Sequence, residues 1–283
     1  MPRKLCWLFN RNKPKDKAGS QQISTNIEDN GLKLLYTGSD PQFDIVAVHG
    51  LNGHRERSWT ASNGVNWLRD LLPADLPQTR IYTWGYNAPP GTTSLQEISE
   101  RLISDLWEMR ESTATHNHPV IFFAHSVGGS VVKSALLYSD SAQETSIHHL
   151  RSISLSTKGM FFIGTPELDS RLAGLQSFVS TFKGTDQEQS DSYKEASWLV
   201  DLLERFSSFG GSFRTVFVYE RPNNASSAQS IPSPPHKLAS CMAIDADHNH
   251  MNKFGSPLDV GYLRIKEYLL EMTENADEGS PWE

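Results

Sequence analysis

Residues 122–132 read Phe-Phe-Ala-His-Ser-Val-Gly-Gly-Ser-Val-Val: an apolar strand pattern runs into Ser126, and an apolar helix pattern begins directly after it. A serine on a sharp strand-to-helix turn lifts its hydroxyl above the sheet and stands at the positive end of the new helix, where attack on a carbonyl is favoured. Such a turn is crowded, so the positions two before and two after the serine must be small. They are Ala124 and Gly128, an A-x-S-x-G pattern carrying one methyl more than the usual G-x-S-x-G. An ordinary glycine-rich turn is the competing reading, and the strand, the small neighbours and the helix together favour a nucleophile. The amide of Val127, directly after the serine, is then one donor to an oxyanion.

A nucleophilic serine needs a general base, and the base needs an orienting carboxylate. The chain order that accompanies this kind of turn is serine, acid, histidine, which places both partners downstream. Of the eight histidines from His116 onward, His116, His118, His125, His148 and His149 are too early or sit in polar stretches, and His236 lies in a proline-rich loop. That leaves His248 and His250 in Ala246-Asp247-His248-Asn249-His250-Met251, and His248 is the nearer to the preceding strand pattern. Asp247, His248 and His250 offer a rival metal-ligand reading, but no further ligand cluster or H-E-x-x-H spacing accompanies them, so no metal is expected.

For the acid, Glu220 ends the apolar run 215–220, one strand before the histidine in chain order. Glu167 and Asp169, at the end of the strand before that, are the rivals; a plain exposed strand-end acid is the alternative for all three. The second oxyanion donor is the amide of Leu51 or Asn52, where the strand 45–48 breaks at His49-Gly50. His49 precedes the serine, the wrong order for a base, and reads as structural.

Positioning these residues takes alternating strands and helices. Strand patterns occur at 34–36, 45–48, 80–84, 120–123, 160–163, 215–219 and, more weakly, 239–244. Leu95, Ile98, Leu102, Leu106 and Met109 make one apolar face of a helix, a second helix follows Ser126, and a last one covers 258–272. Continuously apolar strands such as Val120-Ile121-Phe122-Phe123 belong to a sheet buried on both faces, so the expected class is α/β, mostly parallel and doubly wound. Residues 167–212 interrupt the alternation with two helical stretches, one with Leu172, Leu175, Phe178, Val179 and Phe182, the other with Trp198, Leu199, Leu202, Leu203 and Phe206; this is the expected helical cap. Residues 221–236 are a Pro/Ser/Asn loop, and its Asn224-Ala225-Ser226 sequon is discounted as a chance match.

The net charge of −7 is uneven. Residues 1–20 hold six basic side chains against Asp16, a local +5 that leaves −12 on the remainder, so nucleic acid is not an expected partner. Residues 1–30 read as a disordered basic segment, 31–272 as one α/β domain and 273–283 as an acidic tail. Cys6 and Cys241 form no metal or disulfide framework. The apolar run Cys6-Trp7-Leu8-Phe9 is too short to span a membrane. With its basic neighbours it suits contact with an anionic membrane surface, against the more usual reading of a frayed terminus.

With these residues in place the sequence resembles the α/β-hydrolase superfamily. Within it, the chain is similar to the lipase-like serine esterases that include the serine-active-site-containing phospholipid-remodelling protein family, and to the esterase-like domains of fungal NOD-like receptor proteins. The matching stretches are residues 44–54, Trp59-Thr60, 67–73, 82–86, the turn at Ser126 with Val131-Val132-Lys133, 159–166 and Ala246-Asp247-His248. The resemblance implies an ester hydrolase with no metal or organic cofactor and a site of Ser126, His248 and Glu220. Two departures stand out: Ala124 replaces the usual glycine, and Glu167-Leu168-Asp169-Ser170 follows Gly164-Thr165-Pro166 where relatives commonly carry His and then Arg-Gly-Ser. The expected substrate is a small-molecule or lipid ester. A thioesterase or peptidase with the same triad, and a weakly active or inactive signalling module, are the competing functions. The expected location is cytoplasmic, with a peripheral place on mitochondrial or endoplasmic-reticulum membranes as the alternative.

Overall fold

The computed structural model describes residues 29–88, 93–142, 146–165, 189–221 and 233–274, with the side chains of 189–197 excepted. Residues 1–28 of the basic segment, the first helical stretch of the expected cap with Glu167 and Asp169, most of the 221–236 loop and residues 275–283 of the acidic tail lie outside the described residues.

Among the described residues seven strands form one sheet: β1 (Gly31–Thr37), β2 (Phe43–Val48), β3 (Thr79–Gly85), β4 (Val120–His125), β5 (Thr157–Ile163), β6 (Arg214–Glu220) and β7 (Ala239–Ile244). Their order is β1-β3-β2-β4-β5-β6-β7. Only β1 runs antiparallel to its neighbour; β2 to β7 are parallel, with Val48 beside Ala124 and His125 beside Ile163 in register. The expected mostly parallel, doubly wound sheet is therefore present, and all seven strand patterns in the sequence correspond to strands.

Parallel strands covered on both faces must be apolar on both. In β4, Val120, Phe122 and Ala124 face one core while Ile121 and Phe123 face the other, all buried. The first core receives α3 (Leu95–Thr113) through Ile98, Leu102 and Leu106, and α4 (Val127–Ser141) through Val131, Val132 and Leu136. The second receives Trp67 and Leu68 of α1 (Trp67–Asp70), Leu72 of α2 (Leu72–Asp75), and Tyr262, Ile265 and Leu269 of the last helix. Helix α3 starts where Ser94 and Glu97 form a capping box, each side chain accepting the other's backbone N–H.

After α3 and α4 come the short α5 (Arg151–Ser156), α6 (Gln189–Gly210) and α7 (Val260–Glu274). Helix α6 is the described part of the expected cap. Its Leu199, Leu202 and Leu203 pack with Leu95 and Leu137, and its Phe206 meets Phe162 edge-on, ring centroids 5.9 Å apart. Lys133, buried on α4, sets its ammonium 4.7 Å from the Phe162 ring centroid and 5.6 Å from that of Phe206, a cation–π seam between α4 and α6.

Candidate active site

Ser126 joins the last residue of β4 to the first of α4 with φ 54° and ψ −125°. A side chain at positive φ is strained by roughly 1–3 kcal/mol and persists only where its surroundings hold it. Here the Ser126 amide donates to the Ile163 carbonyl at 2.8 Å, and the Thr165 hydroxyl donates to the Ser126 carbonyl at 3.1 Å. Close approach supplies the rest: a β-carbon on Gly128 would lie 2.5 Å from the Val48 carbonyl oxygen and 2.6 Å from that of His49, so only glycine lets α4 start against the end of β2. Ala124 is fully buried within β4, its methyl absorbed by the first core.

His248 stands on the loop between β7 and α7. Its Nε2 lies 2.9 Å from Ser126 Oγ, a contact closed across 122 residues of chain. Both residues are half-buried, so the pair is reachable from solvent. The other edge of the imidazole faces Gly164, whose φ is +58° and on which a β-carbon would fall 3.0 Å from His248 Nδ1. The loop's far end is pinned: Trp67 Nε1 donates to the Asn252 carbonyl at 3.0 Å and Asn252 Nδ2 to the Ser58 carbonyl at 2.8 Å.

The other sequence candidates are placed as follows. Glu220 ends β6 opposite Ile244 in register and is exposed; among the described residues no hydrogen bond joins it to His248. Asp247 and His250 do not converge with His248. They pair with each other at 2.7 Å on the surface, and that hydrogen bond, with help from the Asn249 amide, holds the Asp247 carboxyl below its ordinary range. No group of three or more His, Cys, Asp or Glu suited to a metal occurs among the described residues.

The turn after β2 is tightly organised. The Gly50 carbonyl accepts from His49 Nδ1–H at 2.7 Å and from the Gly53 amide at 3.0 Å, and Asn52 is left-handed at φ 55°. His49 Nε2 in turn accepts the Tyr86 amide at 3.3 Å, and the two rings stack with centroids 4.6 Å apart. This bonding defines His49 as the neutral Nδ1–H tautomer, and burial pushes its pKa down to about 4. Val127 is buried and opens α4, where the first amides have no intrahelical acceptor.

One residue close to Ser126 and His248 was set aside by sequence reasoning. His125, the last residue of β4, is buried, and its Nε2 lies 2.9 Å from the carbonyl oxygen of His248, the two rings 5.0 Å apart. Burial pushes its pKa down to about 4 as well. Its place directly before Ser126 was visible in the sequence; its partner, a backbone atom, was not.

A mostly parallel sheet with one antiparallel edge, a strained serine leaving a central strand for a helix, and a histidine from the loop after the last strand combine in one arrangement. The fold is the α/β-hydrolase fold. No protein-family model matches the hydrolase-fold chain. It is similar to Protein SERAC1 of Mus musculus, 25% identical over 240 residues, which is 74% of this chain and 35% of that protein. It is also similar to Protein SERAC1 of Homo sapiens, 24% identical over 253 residues, covering 78% of this chain and 37% of that protein. Protein SERAC1 of Danio rerio is 27% identical over 207 residues, covering 62% and 30%. The chain thus spans between 30% and 37% of the length of these curated relatives. Among solved structures, a haloalkane dehalogenase DbeA-M1 loop variant from Bradyrhizobium elkanii is similar with a TM-score of 0.49 and 10% identity, covering 87% of this chain and 94% of that one. A bromoperoxidase from Bacillus anthracis has a TM-score of 0.41 and 15% identity, covering 86% and 94%. No helix among the described residues is long and apolar enough to cross a membrane.

Proposed function

We propose that the chain is a serine hydrolase of carboxylic esters, lipid esters included. The observation that carries this reading is the 2.9 Å contact between His248 Nε2 and the hydroxyl of a serine held at φ 54°. In this reading Ser126 Oγ attacks the acyl carbonyl while His248 Nε2 takes its proton and passes it to the departing alkoxide. Water, deprotonated by the same imidazole, then frees the acyl group. The Val127 amide is one oxyanion donor. The other is the Leu51 amide: with the Gly50 carbonyl held by His49 and Gly53, the N–H of the same planar trans peptide points the opposite way. Asn52, exposed at the tip, is the less favoured donor.

Glu220 is proposed as the acid that orients His248. It stands at the end of β6, beside the strand that feeds the histidine loop, and as an exposed side chain it reaches a new rotamer on the ps–ns timescale. Glu167 and Asp169 are its rivals. The outward-facing Glu220 also favours a second reading, a hydrolase-fold binding module with weak catalysis. Turnover of p-nitrophenyl esters, acyl thioesters and phospholipid vesicles by wild type and Ser126→Ala separates the two. The hydrolase reading expects ester turnover that falls about 10⁴-fold or more in the variant; absence of turnover by the folded wild type would favour the binding module. Residues 1–20 are proposed to rest on anionic membrane surfaces, and vesicle flotation that is unchanged by their removal would refute this.

A further inference from the structure

Within the hydrolase reading, we propose that His125 is the positioning residue for His248, fixing the base to the same strained turn that carries the nucleophile. A carbonyl oxygen can only accept, so His125 Nε2 carries the proton and donates it to the His248 carbonyl at 2.9 Å. That hydrogen bond spans 123 residues of chain and starts from the residue next to Ser126. The separation between base and nucleophile is thereby referred to a single piece of backbone at the end of β4, rather than to the length of the loop.

The rest of the loop shows why such a tether matters. Residues 251–254 are anchored in the second core by buried Met251 and Phe254 and by the Trp67 and Asn252 hydrogen bonds. On the other side, Asp245, Asp247, Asn249 and His250 are exposed. The stretch that carries the base is thus largely exposed, and His125 holds its peptide plane while the imidazole hinges at Cβ. A base displaced by an ångström loses hydrogen-bond reach of the serine, and such misplacements cost up to about 100-fold in rate.

The test uses the full chain with His125→Phe, which keeps a ring but no donor, and His125→Gln, whose amide nitrogen reaches close to the Nε2 position. Steady-state ester hydrolysis and the rate of fluorophosphonate labelling at Ser126 are read together with thermal melting. The expected result is that His125→Phe lowers kcat and the labelling rate by about 10- to 100-fold with KM changed by less than about twofold, while His125→Gln recovers most of both. Equal losses in the two folded variants, or a His125→Phe enzyme as fast as wild type, would overturn the proposal. Should His125→Phe fail to fold, His125→Gln decides: near-wild-type kcat supports the donor role, and a folded but slow protein overturns it. Wild type that is never labelled at Ser126 would instead overturn the hydrolase reading itself, and this proposal with it.

Discussion

The two edges of the sheet both bury ionisable side chains, and they do so in opposite ways. At the amino edge, Asp44 at the start of β2 is fully buried and receives Arg80 Nε and Nη2 at 2.7 and 2.8 Å. Arg110, also fully buried, stands 3.6 Å from the same carboxylate, donates to Ser156 Oγ at 2.7 Å and donates to the His118 carbonyl. Arg80 further donates to Thr115 Oγ1 at 2.7 Å. The cluster ties β2, β3, α5 and the end of α3 together around one carboxylate shared by two guanidinium groups. At the carboxyl edge, His49 and His125 are buried, among the described residues bonded to no carboxylate, held neutral and each bonded to a backbone carbonyl, around a strained serine and a half-exposed histidine. Buried polarity alone therefore does not mark a site. Strain, accessibility and a proton acceptor beside a hydroxyl do.

Several changes would break or sharpen that contrast. After loss of the serine itself, the largest effect on chemistry is expected from Glu220→Gln, a fall in kcat of about 10³- to 10⁴-fold with the fold intact, as when an orienting acid is neutralised. Glu167→Gln and Asp169→Asn should stay within a few fold of wild type on the same ester assay, and a reversal of that ranking would move the acid to the preceding strand. At the other edge, Asp44→Ala leaves two buried guanidinium groups uncompensated and should cost about 3–5 kcal/mol of stability in denaturant unfolding. The labelling rate of the protein that remains folded should not change; a slowed rate would mean that the two edges are coupled.

A subtler effect is the pH dependence of stability. His49 and His125 have folded pKa values of about 4, below the ordinary 6.5 that applies when unfolded. Between those values the unfolded chain binds more protons, so their contribution is complete above pH 6.5 and is lost as pH falls toward 4. Each should add a slope of up to about 1.4 kcal/mol per pH unit in that window. Urea unfolding at pH 7, 6 and 5 measures it, and His125→Gln should remove one histidine's share; an unchanged slope in that variant would contradict the buried neutral state. Smallest of all is His250→Ala on the exposed Asp247 pair, expected to leave ester turnover within about twofold.

Much of this architecture was readable in the residues, for physical reasons. Strands buried on both faces are continuously apolar, so Val120–His125 and its neighbours announce themselves, and even the weak 239–244 pattern forms β7. The turn at Ser126 was legible because steric crowding restricts its neighbours to Ala124 and Gly128. The approach of His248 to Ser126 followed from chain order in a parallel sheet, whose strand ends all meet at one edge. His125 was not legible in the same way, because it acts on a backbone carbonyl and a carbonyl has no residue type. The direction of the Glu220 side chain was equally hidden: a strand end fixes where a residue emerges and leaves its rotamer free. Tyr86 stacking on His49 is another contact that spacing could not announce, since it joins two loops that only the register of β2 and β3 brings side by side.

The central claim is that the carboxyl edge holds a serine activated by His248. Intact-mass and peptide mapping of the full chain after exposure to a fluorophosphonate tests it directly. The account predicts one covalent adduct on the peptide containing Ser126, absent in Ser126→Ala and strongly slowed in His248→Ala. A wild-type protein that stays unmodified, or an adduct that persists in Ser126→Ala, would contradict it.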